Sequence, residues 1–225
     1  MTQSIKIHSN ATRHSLFITV LGCVMLLICL LLSNYLWSEA KLVLIFLTLV
    51  SVVVLVTGIT KHIEPKCSFE ISPQAVVYQH RCGQWQLAWS DIRYIAPVTT
   101  SRGIEQQTLP YVGIRLEELD KFAEAITPRL ANKLIHEQRP LLILAVQHGL
   151  LSVEQITLRF QPYKSAYGLI KGPIAEFLYQ SANLQQAFGF HLMIPSTALD
   201  RSIEEFSVLL KQCKESAQGY VDEDA

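Results

Sequence analysis

The residues able to do chemistry in this 225-residue chain are seven histidines, five cysteines and 19 carboxylates, so their spacing decides what they can do. His62 and Glu64 stand two apart, and His136 and Glu137 are adjacent. A zinc hydrolase needs ligands one helical turn apart, as in HExxH, so that both reach the same ion. Neighbouring residues on a helix point in different directions, so His136 and Glu137 do not make one site. The cysteines, Cys23, Cys29, Cys67, Cys82 and Cys213, contain no CxxC pair and read as free thiols. Free thiols suit a reducing compartment. No GxSxG elbow, Walker loop or GxGxxG occurs. No catalytic residue, metal or cofactor is assigned, and a noncatalytic role is expected. The 19 basic residues only balance the 19 acidic ones, so nucleic acid is not an expected partner.

With no reactive constellation, the informative features are the elements themselves. Only 17% of residues are charged, against about 25% in an average soluble chain. The deficit is concentrated near the start. Leu16 to Trp37 is uncharged; as a helix it is about 33 Å long, enough for a hydrocarbon core of about 30 Å. Leu42 to Ile59 is a second such run. The first is too long for a signal peptide, ends on Asn34-Tyr35-Leu36-Trp37 without a small-residue cleavage site, and is followed at once by the second. Neither shows polar positions at helical spacing. Residues 16–37 and 42–60 are therefore expected to span a membrane, joined by an external loop at 38–41, with 1–15 as a cytoplasmic tail. Lys6 and Arg13 precede the spans, Lys61 and Lys66 follow them, and the loop holds Lys41 alone. The positive-inside rule then places both termini in the cytoplasm, and the expected location is the cytoplasmic (inner) membrane.

Residues 67–217 read as one cytoplasmic domain and 218–225 as an acidic tail. The domain opens β-rich. Ser68–Ile71 alternates, Ser72-Pro73-Gln74 is a turn, and Ala75–His80 is rich in β-formers. Arg81-Cys82-Gly83 is a hairpin loop, and Trp85, Leu87 and Trp89 share one face at period two. Two tryptophans so placed are expected in the core. Ile92–Val98 and Tyr111–Leu116 continue the meander around a polar loop, Thr99–Thr108. Helical signals follow. Leu119, Phe122, Ala123 and Ile126 lie on one face. Thr127-Pro128 is an N-cap with Pro at the first helical position, in a helix that Pro140 ends or kinks. Leu141–Val146 fits a buried strand or a buried helix, whereas Ile156, Leu158 and Phe160 alternate as in a strand. Pro173 opens another helix, which Gly189 stops. Ser202 and Glu205 form a capping box before Phe206, Leu209, Leu210 and Cys213, the inward face of a last helix.

Two blocks of this pattern, Phe69–Val98 (FEISPQAVVYQHRCGQWQLAWSDIRYIAPV) and Ile194–Cys213 (IPSTALDRSIEEFSVLLKQC), resemble the opening and the ending of bacterial PH-like domains. Two spans followed by such a domain are similar to an uncharacterised group of proteobacterial membrane proteins. The resemblance implies an α+β fold: a two-helix transmembrane hairpin, then an antiparallel PH-like barrel or sheet plugged by a C-terminal helix. Residues 117–189 would be a helical insertion. It implies no activity. The expected function is that of a scaffold, in which a membrane-held module binds another membrane or cytoplasmic protein; a lipid-sensing or lipid-modifying enzyme is the alternative. The only site residues assigned are basic. Arg13, Lys61, Lys66 and Arg81 are expected close to the anionic headgroups of the bilayer.

Overall fold

A computed structural model describes residues 5–8, 15–63, 67–102, 105–157 and 161–223. The chain divides into two compact units. One is the stretch Ser9–Lys66; the other joins Met1–His8 to Cys67–Ala225.

The first unit is a helical hairpin. Helix α1, Ser15–Ile63, leaves helical geometry only at Ala40 (φ −126°, ψ 31°). The expected four-residue loop is thus reduced to a single-residue kink. On either side lie Leu16–Ser38 and Ala40–Lys61, each long and apolar enough to cross a membrane. These runs are helical although rich in valine and isoleucine, and a helix is the form in which a single segment satisfies all its own backbone polar groups, as a membrane crossing would require. The hydroxyls follow the same rule. Thr48, Ser51 and Thr57 each donate to the carbonyl four residues back, at 2.8 Å. The two limbs pack through small residues: Gly22 lies on the backbone of Leu55, Gly58 on that of Thr19. Between the limbs, the Cys29 Sγ and Ser51 Oγ lie 3.7 Å apart. No GxxxG repeat advertises this seam, because each helix contributes one glycine.

The second unit begins with an unexpected strand. β1, Ile5–His8, pairs antiparallel with β2, Cys67–Ile71, across the whole helical hairpin in sequence. The segment read as a tail is therefore partly an element of the domain. β3 (Ala75–His80) and β4 (Gly83–Ala88) complete a four-stranded sheet in the order β1-β2-β3-β4. Its register lines up Ile7, Phe69, Tyr78 and Trp85 as one row on the inner face, all buried. Trp89 is buried too, but in a 3₁₀ turn, Trp89–Asp91, where its indole N–H donates to the Ser72 carbonyl at 2.9 Å. That turn redirects the chain into a second sheet of β5 (Ile92–Arg102), β6 (Glu105–Leu116) and β9 (Leu192–Pro195), in the order β5-β6-β9. The polar run expected to be a loop is instead the far end of the β5–β6 ribbon, paired from Thr99↔Thr108 to Arg102↔Glu105.

The sheets do not close into a barrel among the described residues. The reason lies in the insertion. After the short α2 (Phe122–Ala125), Ile126 bridges to Trp85, and the Thr127 N–H donates to the Gln84 carbonyl at 3.3 Å. The free edge of β4 is thus occupied. Helix α3, Pro128–Gln147, then runs past the edge of β9, where the Gln138 amide donates to the Met193 carbonyl at 3.4 Å. Pro140 lies inside α3 and does not end it. Pro140 and His136, whose carbonyl loses its helical donor, are both exposed, so water satisfies that group. Leu141–Val146 is accordingly helix. It ends in a Schellman motif: Gly149 has φ +69°, its N–H bonds to Val146, and the Leu150 N–H bonds to Ala145. Thr127 holds the N-cap position, but its hydroxyl lies against Gly83 and makes no capping bond.

α4 is the short helix Val153–Ile156, so Ile156 ends a helix and not a strand; Leu158 and Phe160 lie outside the described residues. β7 (Tyr163–Ser165) and β8 (Gly168–Ile170) form a small hairpin before α5, Pro173–Phe188, which Gly189 stops at φ +84°. α6, Ile203–Glu223, begins with the expected capping box: the Ser202 N–H donates to Glu205 Oε2, and the Glu205 N–H to Ser202 Oγ. Two cores result. Phe206 and Leu210 of α6 enter the main one with the tryptophans. A second gathers Ala96, Val98, Leu109, Leu141, Leu142, Ala145, Leu184, Phe190 and Met193. The close approach of Phe190 to β6 requires the missing side chain of Gly113.

Candidate functional site

The titratable groups of the domain are placed for structure. Among the described residues, no three His, Cys, Asp or Glu side chains converge as a metal site. The Tyr163 hydroxyl is pushed up to about 12 by burial and by its bond to Asp120, at 3.0 Å. Asp120 also accepts the Ala166 N–H at 2.7 Å, which fastens the β7–β8 hairpin to the segment before α2. Burial raises the Cys213 thiol, so it is a poor nucleophile at neutral pH. A crevice beside β9, lined by Tyr78, Trp85, Leu134, Gln138 and the strand itself, has room for about one water molecule. Gln138 Oε1 is buried there and finds no partner among the described residues.

His191 couples the domain to pH. Its Nδ1 accepts the Leu116 N–H at 3.0 Å, which fixes the neutral ring. Burial, and secondarily the Arg115 guanidinium, hold its pKa down to about 4. The unfolded chain takes up a proton near pH 6.5 that the folded chain refuses until about pH 4, so stability is full above 6.5 and declines as the pH falls through this window. We expect urea unfolding to show a loss of about 1 kcal/mol between pH 7 and pH 5, less than the full shift gives because the ring is partly exposed to screening solvent. His191→Gln keeps an acceptor for Leu116 and should flatten this part of the profile. An unchanged slope in that variant would assign the pH response to other groups.

The strand register gathers several features at one end of the four-stranded sheet. His8 pairs with Cys67 there, where the chain leaves for α1 and returns from it. His80 pairs with Gly83 at the same end, two residues beyond the Phe69↔Tyr78 pair. The turn between them is Arg81-Cys82, closed by the Cys82 N–H donating to His80 Nδ1 at 3.1 Å. Gly83, already the first residue of β4, has φ +139° and backs onto Thr127. The first turn of α3, with Arg129, therefore begins at this same end. Arg81 and Arg129 are both exposed, and neither forms an ion pair with a described residue. Of the basic residues expected near headgroups, Arg81 is thus at the tethered end of the domain, and Lys61 is in the last turns of α1, in the other unit. Arg13 and Lys66 lie outside the described residues. Arg129 was not legible in advance, because only the contacts of Ile126 with Trp85 and of Thr127 with Gln84 and Gly83 bring the start of α3 to this end.

Fold and site together define a protein with two apolar helices of membrane-spanning length and an α+β domain stitched to both ends of their hairpin. The chain belongs to the family described as "Protein of unknown function (DUF2982)", whose model matches residues 69–216, from β2 into α6. No curated protein and no solved structure matches it.

Proposed function

We propose that this is a noncatalytic protein of the cytoplasmic membrane that presents a PH-like domain on the cytoplasmic side as a docking module for another protein. The PH-like reading is supported by two antiparallel sheets that both contribute to the main core and by a capped C-terminal helix entering that core. The insertion at 117–189 opens what would otherwise be a barrel. The membrane reading is supported by the apolar hairpin and by the pairing of β1 with β2. The strands that flank the hairpin belong to one sheet, which suits a hairpin whose two ends emerge on the same face of the bilayer. Flanking lysines and arginines favour the cytoplasmic face.

The observation that carries the docking role is where the domain exposes apolar side chains. Among the described residues of the domain, five of the eight exposed large apolar side chains, Ile143, Leu150, Val153, Tyr167 and Leu169 at 42–61%, belong to the insertion; Ile5, Tyr94 and Val208 are scattered over β1, β5 and α6. An element that covers the core yet offers large apolar groups outward is suited to a protein interface. The test is a photocrosslinking amino acid placed in intact cells at Val153, at Tyr167 and, for contrast, at Val208 of α6. One partner protein captured at both insertion sites, and not at Val208, is the expected result. Lipid adducts alone, or equal capture at all three, would overturn the docking role. A reporter fused after Ala225 that is active only outside the cytoplasm would overturn the orientation.

A further inference from the structure

We propose that the tethered end of the domain makes a second, electrostatic contact with the membrane, in which Arg81 and Arg129 engage the phosphates of anionic lipids. The inference rests on the membrane reading above and adds to it a surface and a ligand class. Its first support is position: the β3–β4 turn and the first turn of α3 share the end of the sheet that carries His8 and Cys67. That end is covalently bound to the spans on two sides. Its second support is charge. Arg81 and Arg129 are exposed, and Lys133, one turn further along α3 on the same face as Arg129, adds a cation shared with Glu137 at 3.1 Å. At the other end of β4 the charges are mixed. There Asp91, Glu117, Glu118 and Asp120 stand beside Lys121, paired to Glu118 at 3.3 Å, and beside Arg93 and Lys214, whose ammonium donates to the Arg93 carbonyl at 2.9 Å. A domain whose tethered end carries two guanidiniums with no ion pair to a described residue matches a negatively charged leaflet, whose attraction falls off within about a Debye length of 10 Å. Guanidinium groups suit this contact because they bind phosphate oxygens in a bidentate fashion.

The test uses the full wild-type chain in lipid nanodiscs and the arginine-selective reagent phenylglyoxal, with modification read residue by residue by mass spectrometry. Neutral discs of phosphatidylcholine are compared with discs containing about 30% phosphatidylglycerol, and about 0.5 M NaCl serves as the screening control. Modification of Arg81 and Arg129 should slow about fivefold in the anionic discs and recover in salt. Arg139, about 15 Å further along α3, should react equally in both. Equal rates for Arg81 and Arg129 in the two lipids would overturn the contact. So would protection in neutral discs on adding inorganic phosphate, which would point to a soluble anion, or protection that needs a cytoplasmic protein. A chain that fails to enter discs at all would instead remove the membrane reading, and this is seen before any footprint is taken.

Discussion

Ile7→Ala is expected to cost the domain about 3 kcal/mol, although Ile7 precedes the first span and was read as part of a tail. Its side chain is 0% exposed. It forms the end of the buried row with Phe69, Tyr78 and Trp85, and Phe69 in turn packs on Phe206 of α6 with ring centroids 5.2 Å apart. Truncation removes a buried branched side chain and leaves a cavity that an edge strand of four residues is too short to collapse around. Ile7→Asp should be worse, since it adds an unpaired buried carboxylate. Lys6 points to the opposite face and is exposed, so Lys6→Ala is the near-neutral control. The measurement is urea unfolding of the full chain in micelles, followed by Trp85 and Trp89 fluorescence with Trp37 replaced by Phe. Midpoints for Ile7→Ala and Lys6→Ala that agree would mean β1 does not complete the sheet. The functional consequence is that the domain needs residues from both sides of the hairpin. Its last strand pairing can form only after both flanking segments have reached the same compartment.

What could be read in the residues, and what could not, divides along the same physical line. The two long apolar helices were legible because length and uniform apolarity hold residue by residue. The capping box at Ser202 and Glu205, the stop at Gly189 and the inward Trp85 were legible because each is a local rule confined to a few positions. β1 was not. Ile5-Lys6-Ile7-His8 does alternate, but four residues carry little periodicity, and the partner strand lies on the far side of the hairpin. Leu141–Val146 was ambiguous as an isolated apolar run. It is a helix because α3 carries through the solvent-facing Pro140 and packs those leucines onto Leu184 and Phe190. The two strands of the β5–β6 ribbon were legible over Ile92–Val98 and Tyr111–Leu116, but its far end was missed because its threonines and glutamines pair through the backbone while looking like a loop. Arg81 was picked out by its hairpin turn. Arg129 reached the same end only through the long-range contacts of Ile126 and Thr127 with β4, and no local pattern encodes those. Barrel closure failed for the same reason, because an insertion can occupy a sheet edge without any signal in the strands themselves.

The second large effect concerns the helical hairpin; on the proposed membrane reading lipid offers no hydrophobic drive for association, and close packing must supply it. A Cβ added at Gly22 would sit 2.7 Å from the Leu55 amide nitrogen, and one at Gly58 2.7 Å from that of Thr19. Backbone atoms cannot swing aside as a side chain can, so even alanine forces the limbs apart, and leucine more so. Overpacking of this kind costs about 1–3 kcal/mol, and each 1.4 kcal/mol is about tenfold in the packed population. Cys29 and Ser51 supply the reporter, since their side-chain heteroatoms already lie 3.7 Å apart between the limbs. In a chain carrying Ser51→Cys, with Cys23 removed, mild oxidation should link the limbs nearly completely. Adding Gly22→Leu or Gly58→Leu should slow that reaction roughly tenfold, whereas Leu31→Ala on the exposed side should leave it unchanged. Equal rates in all three would show that the glycines are incidental and that the kink at Ala40 alone holds the hairpin together. Because β1 and β2 are anchored to the outer ends of these two limbs, a splayed hairpin should also weaken their pairing. Gly22→Leu is therefore expected to lower the domain's urea midpoint in the same direction as Ile7→Ala. That shift is a long-range effect which an anchor joined to the domain at only one point could not produce.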